Sequence, residues 1–391
     1  LPQAPANVAT SATDPYPAAS YHALSAGDVQ RLAAAHAPGA SLHLAEALGT
    51  NSRRHAANMA TPAGRLRCLV LLCTAAEIQN RAVGAALEAY FRLAEMEGKT
   101  DLLDESIAQL EIARRETRDM LQQQLKPPVD IEVWSRQLQQ AQSDRLRAQL
   151  AIEELNSQLR RMLGWNPGGT RERLWNPDAY HVHDEPIDID AAVQLAWSQR
   201  AELRLIRAAI ASLSPQTIGV IDEVLKSNFP LLGQNSAGPV GETIRSLGGF
   251  LPSSRGAIEQ RRQQLTDWLA QREAAIAEEV RQAVAAMRYH GRVVALAWQR
   301  ERSYFQAVED ARNRQKQGLA SFAELTERNL EWIKARSEVL QATMAWYIAR
   351  VHVWQAQGLL AEEPQPACAS ARTVPVAPPQ GPRISPVRHC R

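Results

Sequence analysis

Residues 131–163 read IEVWSRQLQQAQSDRLRAQLAIEELNSQLRRML. Ile131, Trp134, Leu138, Ala141, Ala148, Ile152, Leu155, Leu159 and Met162 recur at alternating steps of three and four, with Arg145 the one charged interruption. That repeat is the seam of a long coiled-coil helix. Just before it stands Lys126-Pro127-Pro128-Val129-Asp130. Proline removes backbone donors and pushes its predecessor out of the helical region, and Asp130 is suited to cap the helix that follows. Upstream, residues from about 65 to 124 contain no proline, with Gly84 and Gly98 the only weak breakers. The pattern predicts one very long helix, a break near 126–130, and a shorter helix returning along it.

The second half repeats this plan. A long helical stretch covers about 256–316 and breaks at Gln317-Gly318-Leu319-Ala320-Ser321, with Gly318 as helix stop and Ser321 as N-cap. The returning helix carries one seam at Leu330, Ile333, Leu340, Met344, Tyr347, Val351 and Trp354, with Ser337 inside it. A second stripe, Leu325, Trp332, Val339, Trp346 and Val353, runs beside the first. Two adjacent apolar stripes give a helix two neighbours, so Trp332, Val339, Trp346 and Val353 are expected in helix packing or at an inter-protomer contact.

The duplication extends to the segments ahead of each hairpin. LSAGDVQRLAAAHAPGA at 24–40 and IDIDAAVQLAWSQRAEL at 187–203 match at an offset of 163, with Ser25 and Asp188 as caps. The tips align at an offset near 191 and the hairpin ends, Leu163-Gly164 and Gln357-Gly358, near 194. An insertion of about 28 residues therefore lies within roughly 213–256 of the second half. The reading is all-α, two tandem repeats of long antiparallel coiled-coil hairpins. A disordered arm is expected at 1–23, the first repeat at 24–186, the second at 187–363, and a disordered tail with seven prolines at 364–391.

Composition narrows the function. The chain has 391 residues, with 44 basic against 42 acidic side chains, a balance that argues against nucleic-acid binding. No apolar run approaches the roughly 18–20 residues of a membrane-spanning helix. There is no phosphate-binding glycine loop, no HExxH and no GxSxG, so neither catalysis nor a cofactor is expected. The best metal candidate is the pair His181 and His183, which alternate on an extended segment; a solvated loop leading to Asp188 is the simpler account of them. Cys68 and Cys73 are five apart in a helix, on poorly matched faces for a bridge, and Cys368 and Cys390 lie in the tail.

The order of these parts resembles the TolC-like outer-membrane efflux proteins. In that family a short helix, a long helix, a tip and a returning helix ending in LxxLLG occur twice. Here LNSQLRRMLG at 155–164 fits the hairpin end, GLASFAELTERNL at 318–330 the second tip, and IDIDAAVQLAWSQRAELRLIRAAI the short helix. The resemblance covers about residues 24–360. It implies a trimer, a place in the bacterial cell envelope, and tips that engage a periplasmic adaptor, here Pro127, Pro128, Gly318 and Ser321. It also implies a β-hairpin after each short helix, and here the sequence departs. TNSRRHAANMATPAG at 50–64 is too short for two membrane strands, and the segment 217–254 does not alternate; Ile218 to Leu225 reads as helix. The sequence therefore predicts a TolC-like fold without the membrane barrel. Its function is expected to be non-enzymatic: tube wall or scaffold in the periplasm or at the outer membrane. A monomeric coiled-coil interaction protein that has lost transport is the alternative, and a metal-binding protein the remote one.

Overall fold

The computed structural model describes residues 21–49, 60–165, 173–177, 180, 182, 186–226 and 255–361. Its first half runs β1 (Tyr21–Ala23), α1 (Ala26–Ala35), α2 (Ala40–Leu48), α3 (Pro62–Gln122), α4 (Ile131–Met162) and β2 (Arg173–Trp175). The second half runs α5 (Ile189–Gln199), α6 (Ala201–Ser212), α7 (Ile218–Lys226), α8 (Arg255–Lys316) and α9 (Phe322–Gln357). The fold is all-α with two tandem hairpins, α3–α4 and α8–α9. The described residues add one small element that the helical reading lacked. β1 pairs in parallel with β2, Tyr21 opposite Arg173, so residues 21–23 are a strand rather than the end of a disordered arm. Three residues per strand are too few to leave an apolar periodicity in sequence.

The helix starts follow the caps. Ser25 and Asp28 form a reciprocal capping box on α1. Asp130 Oδ1 accepts from Glu132 N–H at 3.1 Å, Asp188 Oδ1 from Asp190 N–H at 2.9 Å, and Ser321 Oγ from Glu324 N–H at 3.1 Å.

All four long helices end in the same way, with a left-handed residue and a paired 6→1 and 5→2 hydrogen bond. At α8 the left-handed residue is Gly318, with Leu319 N–H donating to Arg314 O at 2.8 Å. At α4 it is Gly164, with Trp165 N–H donating to Arg160 O at 2.9 Å. At α9 it is Gly358, with Leu359 N–H donating to Trp354 O at 3.0 Å. At α3 it is Gln124, φ 61°, with Leu125 N–H donating to Met120 O at 2.9 Å. The first reversal thus begins two residues ahead of Lys126-Pro127-Pro128, at a position with no glycine to announce it.

The duplication is also visible in packing. Gly164 sits against the ring of His36, the C-cap of α1, and Gly358 against Arg200, the C-cap of α5. Each hairpin closes onto the end of its own short helix, and there a Cβ would lie 2.5 Å from His36 Nδ1 or 3.3 Å from Arg200 Cδ.

The long helices lie side by side in the order α4, α3, α9, α8, the main contacts running between successive members. A core of Val83, Leu87, Phe91, Ile152, Leu159, Met344 and Val351 joins α3, α4 and α9, and β2 adds Leu174. A second core joins α5, α8 and α9. Near the tips, Leu110, Ala113, Trp134, Leu138 and Ala323 join the two hairpins. Gly98 permits the close approach of α3 to α9, since a Cβ there would lie 2.7 Å from Leu340 Cδ2.

Candidate functional site

The tips are the first candidate. Pro127 is half-buried, while Pro128, Gly318 and Ser321 are exposed. Gly318 has nothing near its Cα where a side chain would go, and Ser321 is engaged in the cap of α9. Arg314 spans the second tip, donating from Nη1 to Glu324 Oε1 at 2.8 Å. Residues of both tips therefore lie on capped turns at the same end of the helical layer.

The Trp-rich stripe is placed by the chain's own packing. Val339, Trp346 and Val353 are buried in the core shared with α5 and α8, Trp346 being only 2% exposed. Trp332 lies nearer the tip and is half-buried. Its Nε1 donates to Glu301 Oε1 at 2.7 Å, and its ring lies 5.3 Å from that of Phe305. The guanidinium of Arg336 stands 4.9 Å above it and donates to Glu105 Oε2 of α3 at 2.6 Å, linking the two hairpins.

His181 and His183 lie outside the described residues. Among the described residues no group of three His, Cys, Asp or Glu is arranged to hold a metal ion. Cys73 is buried beside Arg204, and burial pushes its thiol up to about 11. Cys68 is also buried, near the carbonyl of Ala47.

Charges buried between the repeats form one network. Arg200 donates to Glu202 Oε1 from Nη2 at 2.6 Å and to Ala356 O from Nη1 at 3.3 Å. Arg272 of α8 donates to both oxygens of Glu202 at 3.0 Å. Burial raises the Glu77 carboxyl of α3, with Arg200 and Arg81 opposing the rise. The network ties α3, α6, α8 and the end of α9 together.

The remaining candidate was not visible in the hairpin seams. In the order α4, α3, α9, α8 the outer members are α4 and α8. Leu146 and Leu150 of α4 are 65% and 61% exposed, two residues to either side of the buried Ala148 and so on the face opposite the seam. Tyr289 and Leu296 of α8, one heptad apart, are 64% and 61% exposed and turned away from α9. Leu150 and Leu296 each lie about 30 Å from the tip of their own hairpin at 1.5 Å per residue. Leu150 and Leu296 therefore stand at similar heights on the two outer helices, whereas Leu146 lies about 22 Å and Tyr289 about 40 Å from the tips. Apolar residues out of phase with the seam were the signal for them in the sequence. Among the described residues no helix is long and apolar enough to cross a membrane.

Solved structures share the fold of the helical layer. A membrane protein from Pseudomonas aeruginosa superposes with a TM-score of 0.62 at 10% identity, over 88% of this chain and 92% of that one. The open-state MtrE outer membrane channel of Neisseria gonorrhoeae gives 0.57 at 10% identity, over 85% and 88%. This is the TolC-like fold. The outer membrane protein VceC of Vibrio cholerae gives 0.56 at 12% identity, over 85% of this chain and 96% of that one. No family model matches the sequence, and no curated protein matches it. At these identities the TolC-like likeness is one of fold. The segments expected to lack barrel strands fall largely at 50–59 and 227–254, outside the described residues; within 217–254, Ile218–Lys226 is the helix α7.

Proposed function

We propose that this protein is a wall element of a tube in the bacterial cell envelope, periplasmic or outer-membrane-associated, in which copies close on one another edge to edge. The α4 edge of one copy meets the α8 edge of the next, and three copies complete a ring, as the resemblance implies. Its action is passive and non-enzymatic. The observation that carries this reading is the pair of exposed leucines, Leu150 and Leu296, at similar height on the two outer helices. Burying such side chains against another copy is worth about 25 cal/mol per Å² of apolar surface removed from water. The tips, with Pro127, Pro128, Gly318 and Ser321, face away from the short helices and suit an adaptor protein docking end-on.

A charge-swap tests the edges. Leu150→Glu and Leu296→Arg are each expected to dissociate the assembly to monomer in light scattering. The double variant is expected to regain it, because the new charges meet across the interface. Single variants that associate as well as the parent would count against the edges as the contact. The alternative, a monomeric coiled-coil interaction protein that has lost transport, is motivated by the expected loss of the barrel; a particle that stays monomeric would favour it.

A further inference from the structure

The strand pair β1–β2 is seated on the hairpin at a few defined points. Leu174 N–H donates to the buried Asn156 Oδ1 at 2.8 Å, and Leu24 N–H to Trp175 O at 2.9 Å. Tyr90 Oη donates to Leu24 O at 2.8 Å. Beside these, Arg173 of β2 brings Nε to 3.6 Å from Glu97 Oε1 of α3. Glu97 is 8% exposed, and its Oε2 is buried without a hydrogen-bond partner.

Among the described residues, the charged groups acting on Glu97 are two. Arg173 faces it from β2 and Asp101 from the next turn of α3. Farther along, Asp104 is paired with Arg145 of α4, and Glu105 with Arg336 of α9. On β1, His22 has its ring 4.3 Å from that of Trp165. A carboxylate with one dry oxygen lacking a hydrogen bond and its nearest cation at 3.6 Å is costlier to bury than the neutral acid.

We propose that Glu97 is a proton-binding site closed over by the β1–β2 pair, occupied while the pair is seated and emptied when it lifts. Burial pushes the Glu97 carboxyl up to about 7 from an ordinary 4.5, with Arg173 opposing the rise and Asp101 adding to it. The seated state therefore holds the proton more tightly than the lifted state, in which the group is hydrated. Seating is favoured fully below pH 4.5 and is progressively lost as pH rises to about 7. The device is independent of self-association and makes the attachment of the strands responsive to acid.

Hydrogen–deuterium exchange on the full chain at pH 5 and pH 8, corrected for the intrinsic rate, reads it in peptides spanning β1 and β2. The open fraction is expected to rise roughly tenfold to a hundredfold at the higher pH. In Glu97→Gln, which imitates the protonated acid, it is expected to stay low at both. Equal opening of the parent protein at the two pH values, or the same rise in Glu97→Gln, would overturn the proposal. Carbon-13 NMR of the glutamate carboxyls of the unmutated protein gives an answer that needs no folded variant. A Glu97 midpoint near 7 is the expected result, and one near 4.5 refutes it.

Discussion

Gln124 adopts φ 61° at the first tip, where three equivalent helix ends carry glycine. A side chain in the left-handed region costs on the order of 1–2 kcal/mol, which glycine avoids. Gln124→Gly is therefore expected to stabilise the protein by about 1 kcal/mol in denaturant unfolding, since the 6→1 and 5→2 bonds are already formed. A loss of stability would mean that the Gln124 side chain makes contacts that outweigh the strain. The sequence could not point to this residue. The Pro127-Pro128 pair signals a break loudly, and the helix stops ahead of it for a reason carried by backbone geometry alone. By contrast Ser25, Asp130, Asp188 and Ser321 were legible as caps, because short polar side chains before an apolar repeat have one common use. The buried Arg200–Glu202 pair was not legible, because its two residues look like ordinary surface charges until α8 and α9 fold over them.

At the scale of elements, the seam of α4 was legible because a sustained 3.5-residue apolar repeat is the spacing that one helix needs to pack along another. Arg145, its one interruption, pairs with Asp104 on the facing helix, so its charge is met where it crosses the seam. The stripe of Trp346 and Val353 announced a second neighbour for α9, though periodicity could not say whether that neighbour was in the same chain. The packing of α5 and α8 against α9 supplies it. Gly98 looked like a weak helix breaker and is instead a contact point. Gly98→Val is expected to cost about 2 kcal/mol in denaturant unfolding by forcing Leu340 out of place. Gly256→Ala, in the first turn of α8 where an added Cβ meets nothing, is expected to be neutral or stabilising by up to about 1 kcal/mol. If Gly98→Val were equally harmless, the close approach of α3 to α9 would not be a constraint.

For the whole molecule, duplication carried most of what could be read in advance. Offsets between the halves located both hairpins, and the contacts of Gly164 with His36 and of Gly358 with Arg200 give that repeat a physical form. The outer edges escaped notice because seam residues dominate the periodicity, and the few apolar residues out of phase with it are a weak signal beside them. Only the side-by-side order of the helices places Leu146, Leu150, Tyr289 and Leu296 on the two outer members of the layer. The central claim is that these edges close a ring. The absolute mass of the particle in light scattering, taken across a dilution series, tests it most directly. Three chains of 43.2 kDa, a particle of about 130 kDa, are expected at high concentration. A mass that stays at 43.2 kDa throughout the series would contradict the account.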